Sequence, residues 1–176
     1  MRKLLNSELE RKSVNQYRKS EKSPFVIVLD NVRSHSNVGS IFRTADAFLT
    51  EAVYLCGITS QPPHREIRKT ALGATESVSW KYYPSTTEAI SYLRLQGFKL
   101  IAIEQADGSI ELQEIHVEKG EKYALIFGHE VNGVSQEVVD QCDMCVEIPQ
   151  FGTKHSFNVA ISVGIVLWEM NMKLKK

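Results

Sequence analysis

Three polar stretches hold most of the side chains with a chemistry to offer. Residues 37–45 carry Asn37, Gly39, Arg43 and Thr44; residues 126–134 carry Gly128, His129, Glu130 and Gly133; residues 148–160 carry Gly152, Lys154, Ser156, Phe157 and Asn158. An arginine, a carboxylate, a hydroxyl and two amides can bind an anion, orient a hydroxyl and move or stabilise a proton. The third stretch reads as a strand end, a Pro/Gly-punctuated loop and a helix whose first turn holds Ser156 and Asn158. Unpaired N–H groups at such a helix start could hold a ligand, or Ser156 and Asn158 could simply cap it. Familiar alternatives are missing. No Gly-x-Gly-x-x-Gly follows the first apolar run, and Gly-x4-Gly-Lys-[Ser/Thr], His-Glu-x-x-His and Gly-x-Ser-x-Gly do not occur.

The elements that must position these residues alternate. Apolar runs at 25–29, 52–56, 99–103, 123–127 and 145–148 have the continuous character of strands buried on both faces, and 78–83 reads as a shorter one. Helical patterns fall between them: Ile41, Ala45 and Phe48 mark one, Ser85 and Glu88 form a capping box for another that closes at Gly97, a short one spans 135–141, and a long one runs from Ser156 to about Lys173. Residues 57–74 read as a loop containing the basic cluster Arg65, Arg68 and Lys69. Strand, helix, strand in succession implies right-handed parallel crossovers, hence an α/β domain over 23–176 preceded by a basic appendage, 1–22. In open parallel sheets ligands bind beyond the carboxyl ends of the strands, where all three polar stretches lie.

The bulk numbers set limits. A length of 176 residues with 43% apolar side chains is enough for one domain with a substantial core. No apolar run approaches the ~18 residues of a membrane span, and the charged N-terminus is unlike a secretory signal, so a cytoplasmic protein is expected. Cys56, Cys142 and Cys145 are too few for a disulfide framework. The spacing of Cys142 and Cys145 is that of a redox or zinc half-site, but no second pair completes it, which favours packing and no metal. Net charge is zero but unevenly spread. Residues 1–22 hold seven basic and three acidic side chains, and Lys173, Lys175 and Lys176 end the chain, which leaves 11 basic and 18 acidic in between. Basic ends on an acidic body suit a polyanion gripped at one face, and they also suit simple solubility.

In order and spacing, the three loops resemble the three motifs of the SpoU, or TrmH-like, branch of the SPOUT RNA methyltransferases, over roughly residues 24–172. The resemblance implies a parallel sheet flanked by helices, its C-terminal strand, loop and helix threaded into a deep trefoil knot. It also implies a homodimer formed through the motif-one and C-terminal helices, bound S-adenosylmethionine, and methyl transfer to a ribose 2′-hydroxyl of RNA without a metal. Carried onto this sequence, the cofactor residues are Ile103, Glu104, Phe127, Gly128, Ile148, Ser156 and Phe157, with Gly128 leaving room for the ligand. The catalytic set is Arg43 with Asn37, Glu130, Ser156 and Asn158. Arg43 either fixes an RNA phosphate or, if desolvated, takes the proton, and Glu130 orients an arginine or supports the dimer. Arg33, Arg65, Arg68, Lys69 and Lys154 are the expected RNA contacts. Residues 69–74 and 145–150 look most like the type that acts on a D-loop guanosine of tRNA. Ribosomal RNA and a non-catalytic RNA-binding module are the alternatives.

Overall fold

The computed structural model describes residues 1–175; Lys176, the last residue of the basic tail, lies outside them. After a short 3-10 turn at Asn6–Glu8, the elements run α1 (Val14–Lys19), β1 (Ser23–Asp30), α2 (His35–Ala47), β2 (Thr50–Cys56), α3 (Arg65–Ala71), α4 (Ala74–Ser77), β3 (Trp80–Tyr83), α5 (Thr86–Leu95), β4 (Phe98–Ile103), β5 (Ile110–Glu111), β6 (Lys122–Phe127), α6 (Gln136–Val139), β7 (Met144–Glu147) and α7 (Val159–Leu174). The seven strands form one sheet in the order β3-β2-β1-β6-β4-β7-β5, with every pairing parallel. β7 therefore lies between β4 and β5, two strands consecutive in sequence.

Alternation along the central strands divides the core in two. Phe25, Ile27 and Leu29 of β1 face α2, α3 and α7, where Ile41, Ile67, Val163 and Met170 join one buried cluster. Val26 and Val28 face the other way, toward Ala89, Ile90 and Leu93 of α5 and Val138 of α6. Both sheet faces are covered, which is why these strands are apolar throughout. α1 is fastened to the first cluster by Tyr17, only 4% exposed, and Arg18 Nε donates to the Glu76 carbonyl at 3.2 Å.

Three sequence expectations need correction. The first of the three loops, 37–45, lies within α2, which starts at His35 because Ser34 caps it and accepts from the Asn37 N–H at 3.3 Å. The stretch 57–74 is not a loop: it contains α3 and α4. Ile67 and Ala71, one turn apart, are buried against α2, and the His64 ring caps α3 by accepting from the Glu66 N–H at 3.2 Å. That signal was masked by the surrounding charge and prolines. The C-terminal helix starts at Val159, three residues later than expected, because Asn158 is its cap and accepts from the Ala160 N–H at 2.9 Å.

Candidate active site

The carboxyl ends of β4, β6 and β7 open onto a cleft of about 580 Å³. Its walls include Ile103 and Glu104 from the end of β4, Phe127 and Gly128 from β6, and Ile148, Ser156 and Phe157 from the segment joining β7 to α7. All seven expected cofactor residues thus line one space, although they come from three strands up to about fifty positions apart. Gln150, Asn158 and Ser162 line it as well.

Carboxylates accepting from backbone N–H groups build the cleft. Glu130 accepts from the N–H of Arg33 at 3.0 Å and of Ser34 at 2.9 Å, and from the Asn37 side-chain amide at 3.0 Å. Asn37 in turn accepts from the Asn158 side-chain amide at 3.0 Å. One line of bonds therefore joins the loop after β6, the start of α2 and the cap of α7, which are the three polar stretches of the sequence. Glu104 accepts from the Val134 N–H at 2.8 Å, and Asp30, a buried carboxylate ending β1, accepts from the Ser135 N–H at 2.9 Å and the Thr86 hydroxyl at 2.5 Å. Partial burial pushes the Glu130 carboxyl up, but the N–H groups of Arg33 and Ser34 outweigh it and hold the group below the usual carboxylate range.

Glu130 was expected to orient an arginine or support the dimer, and within the chain it holds no arginine side chain. Its oxygens instead hold the N-terminal approach to α2, where unpaired N–H groups are the stronger local attraction for an anion. Gly128 also has a different reason. A Cβ there would sit 2.0 Å from the Gly133 carbonyl carbon and 2.1 Å from the Val134 nitrogen, so the loop's own backbone excludes a side chain. Ser156 lines the cleft but caps nothing: it is exposed and makes no hydrogen bond among the described residues.

Asn37, Glu130 and Asn158 of the expected catalytic set are joined and Ser156 is nearby, but Arg43 is apart. It lies six positions beyond Asn37 on α2, about 9 Å along the axis. Its side chain is exposed, outside the cleft, and without an ion pair among the described residues. Of the expected RNA contacts, Arg33 and Lys154 are exposed on loops at the strand ends, whereas Arg65, Arg68 and Lys69 of α3 line a separate shallow groove. Asp30 was not singled out in the sequence, and His129 was named there only as part of the second polar stretch. Asp30 directly follows the unbroken apolar run 25–29, a position at which a polar residue is a usable signal. The His129 ring accepts from the Val131 N–H at 3.0 Å and stabilises the turn over Gly133. Cys142 and Cys145 are free thiols that donate to the Val138 and Glu104 carbonyls at 3.2 and 3.3 Å; burial raises both pKa values, that of Cys142 to about 12. No group of three or more metal-ligating side chains occurs among the described residues, and no helix there is long and apolar enough to cross a membrane.

Residues 24–168 match the SpoU rRNA Methylase family. The chain belongs to this family. It is 32% identical over 146 residues to the 23S rRNA (guanosine-2′-O-)-methyltransferase of Neisseria meningitidis, covering 83% of this chain and 57% of that protein. It is 26% identical over 163 residues to the tRNA (guanosine(18)-2′-O)-methyltransferase of Thermus thermophilus, covering 93% and 82%. Among solved structures, an S-adenosylmethionine-bound rRNA methyltransferase from Sinorhizobium meliloti superposes with a TM-score of 0.81 at 29% identity, covering 90% of this chain and 60% of that one. The chain thus spans little more than half of some SpoU relatives and most of others. The SpoU match includes all three polar stretches and most of α7.

Proposed function

We propose that this SpoU-family protein transfers a methyl group from S-adenosylmethionine to a ribose 2′-hydroxyl of RNA, with tRNA, and within it a D-loop guanosine, as the favoured substrate. The observation that carries the reading is the line Glu130–Asn37–Asn158, which binds the three family motifs around one cleft. The cleft suits the cofactor in size, since ligand pockets run from about 300 to 1,000 Å³. Ile103, Phe127, Ile148 and Phe157 offer apolar surface for a flat base, Gln150 and Ser156 offer polar contacts, and the Glu104 and Glu130 carboxylates favour a cationic centre. When bound, S-adenosylmethionine supplies an electrophilic methyl group, so catalysis by the chain reduces to alignment and handling of the hydroxyl proton.

Glu130 is already committed to backbone N–H groups, which argues against it as the base. Arg43, exposed and hence not desolvated, is better suited to binding an RNA phosphate and stabilising the developing oxyanion than to taking a proton. It reaches the reaction if a second copy docks. Ile161 and Trp168, one above the other on α7, are 56% and 58% exposed, and Thr44 of α2 lies beside Gly164, so α2 and α7 offer one continuous surface for a homodimer. The position of β7 between β4 and β5 supports the threaded, knotted connection.

The name of the Thermus relative supports tRNA; the name of the Neisseria relative supports ribosomal RNA as the second reading. Labelled methyl transfer to bulk tRNA, bulk ribosomal RNA and no RNA tests them together. Label in tRNA, mapped to a ribose, is the expected result. Absence of label in either RNA with a cofactor-binding preparation would overturn the enzyme reading. Arg43→Ala is expected to abolish transfer while cofactor affinity and thermal stability stay near those of the parent protein.

A further inference from the structure

The groove on α3 is separate from the cleft and unlike it in charge. It is a shallow depression of about 490 Å³ lined by Pro63, His64, Arg65, Arg68 and Lys69. Its four nitrogen-bearing side chains stand on a body whose central stretch is net acidic. The groove is also fixed relative to the cleft. The His64 ring stacks on that of His35 at the first turn of α2, with centroids 3.9 Å apart, and the Thr70 hydroxyl donates to the Ser36 carbonyl at 3.1 Å. Gly39 allows this approach, since a Cβ there would lie 2.4 Å from the Ile67 carbonyl oxygen. The same turns of α2 carry Asn37, so α3 and the cleft share one rigid support.

The cations of the groove are not equivalent. Arg68 is exposed with no ion pair among the described residues, and the Arg65 side chain is 86% exposed, its Nε only 4.0 Å from Glu66. Lys69 is held by Glu66 at 2.8 Å. Glu66 is thus an internal anion on a surface where an external anion would bind. We propose that this groove takes successive RNA phosphates while the target ribose occupies the cleft, that Arg65 and Arg68 provide its grip, and that Glu66 weakens that grip by competing for Lys69. The proposal rests on the RNA reading above, but not on catalysis.

Binding of bulk tRNA to the full chain, measured by anisotropy from 50 to 200 mM salt, tests it. Each phosphate contact contributes about one unit to the slope of log affinity against log salt. The double variant Arg65→Ala/Arg68→Ala is expected to lose about two units of slope and to bind about tenfold more weakly at 100 mM salt, with S-adenosylmethionine affinity unchanged. Lys69→Ala is expected to change the slope far less. Glu66→Gln is expected to bind RNA several-fold more tightly, because it frees Lys69 with little change of shape. An unchanged slope in the double variant, or an unchanged or weaker affinity in Glu66→Gln, would overturn the proposal. If these shifts appear in a protein that methylates no RNA, the groove stands and the proposed activity fails; methylation with no shifts has the opposite meaning.

Discussion

The two loops that face each other across the cleft are built in opposite ways. The segment after β6 is bonded along its length: His129 and Gly133 exchange backbone bonds at 3.0 and 2.9 Å, Glu104 holds Val134, Asp30 holds Ser135, and Glu130 reaches across to Arg33 and Ser34. The segment from β7 to α7 has every residue from Phe151 to Asn158 exposed, and it is tied by Gln150 to the His155 carbonyl at 3.4 Å, by Asn158 to Asn37 at 3.0 Å and by the Asn158 cap. One wall is thus set by the chain itself, while the other presents Phe151, 96% exposed, and Phe157, 43% exposed, to whatever docks there. A preformed wall keeps the binding site in shape without a ligand. An open one leaves access for the RNA and a second copy.

Substitutions that damage the set wall are the most direct way to break this contrast. Gly128→Ala forces a Cβ against the Gly133–Val134 backbone and is expected to cost about 2–3 kcal/mol, read as a lowered thermal midpoint, together with loss of S-adenosylmethionine binding. Glu130→Gln is expected to cost about 1 kcal/mol at pH 7, since a neutral amide is a weaker acceptor for two N–H groups. Because the folded Glu130 carboxyl lies below its ordinary value of 4.5, its contribution is complete above that pH and is lost as pH falls through the folded value. Denaturant titrations of parent and Glu130→Gln should therefore converge below about pH 4.5. A double-mutant cycle of Asn37→Ala and Asn158→Ala is expected to give a coupling of about 0.5–1 kcal/mol, measuring the bond by which α2 links the open wall to Glu130 of the set one. Phe151→Ser should change stability by less than about 0.5 kcal/mol, and a larger loss would mean that the open wall is packed in solution.

Much of this contrast was legible in the sequence. Apolar runs such as 25–29 and 123–127 mark strands buried on both faces, and the alternation with helical patterns leaves a parallel sheet as the consistent solution. The three polar, glycine-bearing stretches were visible after those runs, although the first proved to lie within α2 and not in a loop. Less legible was what each residue binds. Gly128 read as space for a ligand, but its neighbour is Gly133 five positions on. Glu130 read as a partner for an arginine or a support for the dimer, and within the chain its backbone partners are N–H groups almost a hundred positions earlier. α3 was hidden because Ile67 and Ala71 give only two apolar positions among cations, and burial against α2 decides the helix.

The sequence by itself determined the alternation of strands and helices, the polar stretches that follow the strands and the membership of the SpoU family, because these depend on local periodicity and on residue order. Only the tertiary structure decided which carboxylate holds which loop, that Asn37, Glu130 and Asn158 form one line, and that Arg43 and the α3 cations stand outside the cleft. Hydrogen bonds and close backbone contacts are made between positions that the chain's order does not bring near. Their partners are chosen by how the sheet places its strand ends.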